Sequence, residues 1–391
     1  VTPVPRSFYA AAFLTGVAYA NVAVALPLYA IMLGRPASFA GGLLAAHTLA
    51  IAFGAVGSTP VLGRLGGRNT LAAGLAVGAI GQAVLLVPLG TTGLVWGAML
   101  HGAGMGLFWV GTQAMLGRRS GAEGSERGFV NQYAVYIVGT IAGSAATGLA
   151  DGVLRVVGAS NVASIRLTFG LGLVASALAL ALRPPMRRAA DEPRSVRLSA
   201  DLPGRGFAVQ SPDLLLVAAL GLVLQLAPVI LETSYAYSPL AIGMVMGGVA
   251  AAKIVGSFAA GGLARAAGGS RAAFTMLAGA SALTAFLVVA DAAGVFVVLL
   301  LVVTLLAVGV WPVIVDAALA RVEPDLRGGM AVAWNVREYV VIAAASAVGG
   351  WILDAFGSPR LLFLLAAAFL AASAASAATV LRRPVHAPEP A

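Results

Sequence analysis

Polar residues in this chain are confined to short breaks between long apolar runs. Cutting at the Arg-, Pro- and Gly-rich breaks leaves twelve runs, 8–32, 39–60, 70–90, 93–116, 129–150, 161–182, 213–236, 239–262, 271–290, 293–319, 330–353 and 359–381. A helix of roughly 20 apolar residues crosses about 30 Å of hydrocarbon, so each run predicts one transmembrane helix. The strands of an outer-membrane barrel would instead alternate apolar and polar positions over about ten residues, and no segment does so. The pattern predicts an all-α membrane protein with twelve transmembrane helices. The first run is apolar from Phe8 to Leu33, far longer than the roughly 7–15 residues of a signal-peptide core, and is expected to be a retained helix.

Composition agrees with the pattern. Of 391 residues, 60% are hydrophobic and 10% charged, against about 25% charged in a soluble domain, too few to clothe a globule in water. The absence of cysteine removes disulfides and thiolate metal sites, and three histidines leave little for a metal centre; no cofactor is expected. The net charge of +9 suggests nucleic acid at first sight, but the basic residues are scattered in loops between apolar runs, as membrane orientation requires. Placing the N-terminus inside puts 18 basic residues on the cytoplasmic side and only Arg35, Arg155, Arg166 and Arg360 outside. By the positive-inside rule both termini are expected in the cytoplasm, with the chain in the plasma (cytoplasmic) membrane. The inside set includes Arg118, Arg119, Arg127, Arg183, Arg187, Arg188, Arg194, Arg197, Arg205, Arg327, Arg382 and Arg383.

The longest connection, rich in Arg and Pro, reads as a linker over 183–212 between an N-terminal six-helix bundle (1–182) and a C-terminal one (213–391). The halves echo one another. At an offset of 202, Phe108-Trp109 meets Val310-Trp311 and Arg119 meets Arg321; at an offset of 200, Arg127-Gly128 meets Arg327-Gly328. Transporters built from repeated bundles leave such internal symmetry.

On these features the chain resembles the major facilitator superfamily over essentially its whole length. The family's loop signature after the second helix, G-x-L-a-D-R-x-G-R-R, is echoed by Val61-Leu62-Gly63-Arg64-Leu65-Gly66-Gly67-Arg68. It is echoed again after the eighth by Gly261-Gly262-Leu263-Ala264-Arg265-Ala266-Ala267-Gly268-Gly269. The matching positions are thus Arg64, Gly66, Arg68, Arg265 and Gly268. Gly63 and Arg265 stand where the family has Asp, so the charge relay attributed to that Asp does not carry over. Of the antiporter signature in the fifth span, Gly139, Gly143 and Gly148 are present, but Ser144 replaces Pro and Thr147 replaces Gly; small-residue helix packing accounts for the rest. In the fourth span, Ala98 occupies the Arg position of proton-coupled drug exporters, followed by His101, Gly102 and Gly104. The resemblance implies two six-helix bundles related by pseudo-symmetry, alternating access, and a solute site near mid-membrane between the halves.

Ionisable residues inside a membrane are costly and mark function. The third, sixth, ninth and twelfth runs hold none in their interiors; the others hold His47, His101, Lys253, Asp316, Arg337 and Glu338. Counting about 1.5 Å per residue places Lys253, Asp316, Arg337 and Glu338 in one layer, roughly 5–12 Å inside the cytoplasmic ends. Such a layer can be a self-neutralised gate or snorkelling side chains. Alternatively Lys253 and Arg337 bind an anionic group on the substrate, while Asp316 or Glu338 carries a coupling proton. Burial disfavours a carboxylate and a neighbouring cation favours it, which links protonation to substrate loading.

His47 and His101 are candidate proton relays, or neutral partners of neighbouring helices. Asn21 and Gln225 occupy similar mid-membrane places in the two halves and either bond substrate or join helices. Trp109, Trp311 and Trp334, with Tyr136 as a further candidate, either stack on substrate or anchor at the interface. Glu232 closes the seventh span as a candidate outer gate, and Pro27, Pro228 and Pro312 are expected to break their helices. No G-x-x-x-x-G-K-[ST] loop is present for ATP, nor a G-x-S-x-G elbow or H-E-x-x-H helix for a hydrolase. The expectation is a monomeric secondary transporter for a small organic solute with an anionic group, coupled to protons and embedded in the lipid bilayer, with efflux of lipophilic drugs or other amphiphiles as the rival reading.

Overall fold

A computed structural model describes residues 5–116, 122–182, 205–290, 292–321 and 327–381. Among them are twelve helices long and apolar enough to cross a membrane. They are α1 (Arg6–Met32), α2 (Ala37–Ser58), α3 (Pro60–Leu86), α4 (Gly90–Leu116), α5 (Asn131–Val156), α6 (Asn161–Ala181), α7 (Phe207–Thr233), α8 (Pro239–Ala267), α9 (Gly269–Val289), α10 (Ala293–Ala318), α11 (Ala333–Phe356) and α12 (Arg360–Val380). The chain is an all-α integral membrane protein. Arg118, Arg119, Arg183, Arg187, Arg188, Arg194, Arg197, Arg382 and Arg383 lie outside the described residues, as does 183–204 of the linker; of Arg127, Arg205 and Arg327 only the helical backbone is described. Helix is already formed at Arg205, so residues 205–212 extend the seventh span rather than lead up to it.

The loop-motif segments are nearly all helix. Helix runs from Ala37 to Leu86, interrupted only at Gly66, whose φ of 76° and ψ of 165° lie outside the helical region. Gly268, with φ 86° and ψ 148°, separates α8 from α9 in the same way. These two backbone conformations are accessible essentially to glycine alone. Their separation in sequence is again 202, so the half-to-half repeat holds at the level of backbone geometry.

Prolines break two helices of the three expected. α7 consists of Arg205–Val223 and Ala227–Thr233, the second piece carrying Pro228 in its first turn. α10 consists of Ala293–Ala307 and Trp311–Leu319, with Pro312 in the same position. Pro27 departs from expectation: α1 continues through it to Met32. One missing backbone donor is tolerated where close-packed neighbours hold the helix, and Ala25 through Ala30 are all buried.

The chain divides into two compact units, 1–196 with 226–250 and 197–225 with 251–391. The end of α7 and the start of α8 group with the first unit. Small residues account for that grouping. A Cβ on Gly148 of α5 would meet the backbone of Pro239 and Leu240, and one on Gly243 would meet Ser144. In the same unit Gly139 and Gly143 of α5 face the backbones of Phe13 and Val17 on α1, which is the helix-packing role of small residues in membranes. Near one end of α5, buried Asp151 is held by Arg155 at 2.8 Å and by the Ser164 hydroxyl at 2.6 Å.

Candidate functional site

In the first unit the polar residues converge on a histidine pair. Gly102 of α4 lies against the His47 carbonyl of α2, where a Cβ would overlap it, so the two helices approach to backbone contact. His47 and His101 are thereby stacked, with ring centroids 5.2 Å apart and planes at 15°. His47 Nε2 and His101 Nδ1 are 3.0 Å apart, one donating and the other accepting. A further proton on the accepting nitrogen would set two N–H groups against each other, so this contact tolerates only one proton between the rings. A cavity of ≈ 10 Å³ touches His101, Gly74, Gly78, Gly104 and Ser176, about the space of one water centre.

Aromatic rings extend from this pair. Tyr19 of α1 stands 6.1 Å from His47 and 6.0 Å from Tyr136. Trp109 meets Tyr136 edge-on at 4.9 Å. Tyr19 and Trp109 keep part of their surface exposed, whereas Tyr136 is buried. Asn21 is fully buried; its amide donates to the Thr147 hydroxyl at 3.0 Å and to the Thr168 carbonyl at 3.1 Å, tying α1 to α5 and to the bend within α6. That is a helix-joining geometry. Glu232 is half-buried near the end of α7 and joins neither cluster.

In the second unit the focus is Glu338. Trp311 of α10 and Trp334, one turn before Glu338 on α11, both donate their indole N–H to Glu338 Oε1, at 2.9 and 3.0 Å. The pairs Trp109 with Tyr136 and Trp311 with Glu338 are related by the same offset of 202: a ring contact in one half stands where the other has an indole donating to a carboxylate. Arg337 points elsewhere, to Gln210 Oε1 at 3.0 Å and over the Phe207 ring at 5.8 Å. Gln210 in turn donates to the Trp334 carbonyl at 3.1 Å.

Asp213 completes the cluster. It is 0% exposed, stands beside Glu338, Trp334 and Gln210, and both its carboxylate oxygens are buried without a hydrogen-bond partner among the described residues. Neither Asp213 nor Gln210 was among the sequence candidates, because the apolar run was cut at 213. With helix formed from Arg205 onward, Asp213 sits roughly 12 Å along it at about 1.5 Å per residue.

The expected charged layer is therefore dispersed. Lys253 is half-buried in the middle of α8, fourteen residues from either end, roughly 21 Å by helical rise and deeper than the sequence cut suggested. Its ammonium makes no ion pair or hydrogen bond among the described residues; only its backbone carbonyl is engaged, by the Ser257 hydroxyl at 2.9 Å. Asp316 is exposed near the end of α10. Gln225 is half-buried in the break of α7, its backbone N–H bonded to the Leu220 carbonyl at 3.3 Å. Arg64 and Arg265 are exposed, and Arg68 is half-buried.

No protein-family model and no curated protein sequence matches the chain. Solved structures do. A POT family transporter in complex with a thioalcohol-conjugated peptide superimposes with a TM-score of 0.70 at 13% identity, covering 94% of either chain. The nucleoside transporter NupG gives 0.72 at 12% identity, covering 97% of this chain and 99% of its own. The E. coli fucose:proton symporter FucP gives 0.65 at 15% identity, covering 95% of this chain and 97% of its own. Twelve spans, a backbone repeat at a constant offset and full-length likeness to these structures give the chain the major facilitator fold.

Proposed function

We propose that the protein is a secondary transporter that moves a small organic solute with an anionic group by alternating access, coupled to protons, in the cytoplasmic membrane with both termini inside. The observation that carries this reading is Lys253. A lysine at mid-helix in a membrane is expensive unless an anion or water meets it, and no acidic side chain among the described residues does. An anionic substrate supplies the missing charge. Glycines that let helices touch and proline-led breaks in α7 and α10 are features that helix bending uses. Proton coupling draws on titratable groups in both units, the histidine pair and Glu338.

Efflux of lipophilic cations is the weaker reading, because Glu338 Oε1 already accepts two indole N–H groups and is ill-placed to receive a second, organic partner. The test is a thermal-shift screen of purified protein against small organic anions, neutral metabolites and lipophilic cations. Stabilisation by an anion, absent in a folded Lys253→Gln variant, is the expected result. Stabilisation by cations alone, indifferent to Lys253→Gln, would overturn it.

A further inference from the structure

We infer that Asp213 and Glu338 form a proton-binding pair, two buried carboxyl groups holding one proton between them. Glu338 is 6% exposed and Asp213 0%, and the hydrogen bond from Gln210 to the Trp334 carbonyl, one turn earlier on each helix, sets the two side by side. Two carboxylates out of water and in contact do not both stay ionised, since each charge lacks hydration and repels the other. The hydrogen bonds assign the roles. Two N–H donors converge on one oxygen of Glu338, an arrangement that suits an accepting carboxylate. Asp213 is fully buried beside it, and no hydrogen bond of good geometry reaches either of its oxygens, which suits a protonated acid giving its own hydrogen to Glu338.

Among the described residues no cation is recorded against either carboxyl. α7 contributes Gln210, α10 contributes Trp311, and α11 contributes Trp334. Arg337 is turned to Gln210 and Phe207. Elsewhere on α11, Tyr339 directly follows Glu338, and Asp354 lies roughly 24 Å further along by helical rise. The titratable residue of α10, Asp316, is exposed. α12, packed along α7, offers the Ser373 hydroxyl to the Pro212 carbonyl at 2.5 Å and has no titratable side chain but Arg360 at its start. Burial this complete admits a proton and excludes an organic cation. A metal ion, needing several oxygens, would find one of the four already occupied by indoles.

This inference deepens the transport reading, on which its physiological use rests, but its test needs no transport. In purified protein without solute, infrared spectroscopy should show a protonated carboxyl band at neutral pH. Tryptophan fluorescence should show a titration step, reported by Trp311 and Trp334. Both signals should vanish in Asp213→Asn, shift in Glu338→Gln, which removes the repulsion but not the burial, and persist unchanged in Asp316→Asn. Absence of the carboxyl band in the unaltered protein overturns the pair whether or not any variant folds; so does a titration step left unchanged by either substitution. Solute flux without the step would sink the pair and spare the transporter, whereas the step without flux would do the reverse.

Discussion

At the residue scale, three groups inside the membrane are placed very differently by their neighbours. Lys253 has no counter-ion among the described residues, Glu338 has two indole donors, and His47 and His101 satisfy each other. A hydrogen bond to a charged group contributes about 1.5–3 kcal/mol. Trp334→Phe, which keeps the ring and deletes the donor, should therefore lower stability to unfolding by about 1–3 kcal/mol, with Trp311→Phe somewhat milder because Trp311 is only half-buried. Equal stability of all three proteins in a denaturant titration would show that the indoles merely fill space. The sequence identified Glu338, Trp311 and Trp334 separately, since an ionisable residue or a tryptophan in an apolar run is conspicuous by itself. Their joining was not legible, because it depends on how α10 and α11 rotate about their axes, and twelve runs that are apolar on every side carry little phase information. Asp213 escaped for a simpler reason: one acid near the edge of an apolar run looks like its boundary.

Elements show the reverse balance. Spans were readable from length and hydropathy because the bilayer allows few alternatives, and the described helices match the expected runs closely. Their ends were less readable, since a membrane helix continues into polar sequence whenever propensity allows. α3, α7 and α8 all begin or end beyond the apolar cut, and that shift deepens Lys253. The two loop-motif segments were expected as loops and are helical apart from single glycine breaks, Gly66 within α3 and Gly268 between α8 and α9. Gly66→Ala should cost about 1–3 kcal/mol, the strain of a side chain at that φ and ψ. Gly262→Ala, in helix with open space around its Cβ position, should be neutral or stabilising. Thermal unfolding of the two variants side by side checks this, and a harmless Gly66→Ala would mean that the break does not require glycine. Proline signals also depend on context: Pro228 and Pro312 start new helical pieces, whereas Pro27 is absorbed by a buried helix.

On the scale of the whole molecule, one sequence offset recurs between the halves. It relates the glycine breaks and the Trp109 and Trp311 contacts, while a histidine pair stands in one half and a carboxylate cluster in the other. The fold was legible in the sequence through this repeat and the twelve spans. The substrate is not encoded in so visible a way, because specificity resides in a few side chains rather than in the pattern. Coupling of solute to protons should make uptake into proteoliposomes follow an imposed pH gradient and collapse with a protonophore. The most direct measurement is the flux, under such a gradient, of the anion that stabilises the purified protein, with Lys253→Gln alongside. Concentrative uptake by the unaltered protein, and none by a folded Lys253→Gln variant that no longer binds the anion, is the predicted result. Binding without flux, or flux unchanged by Lys253→Gln, would contradict the account.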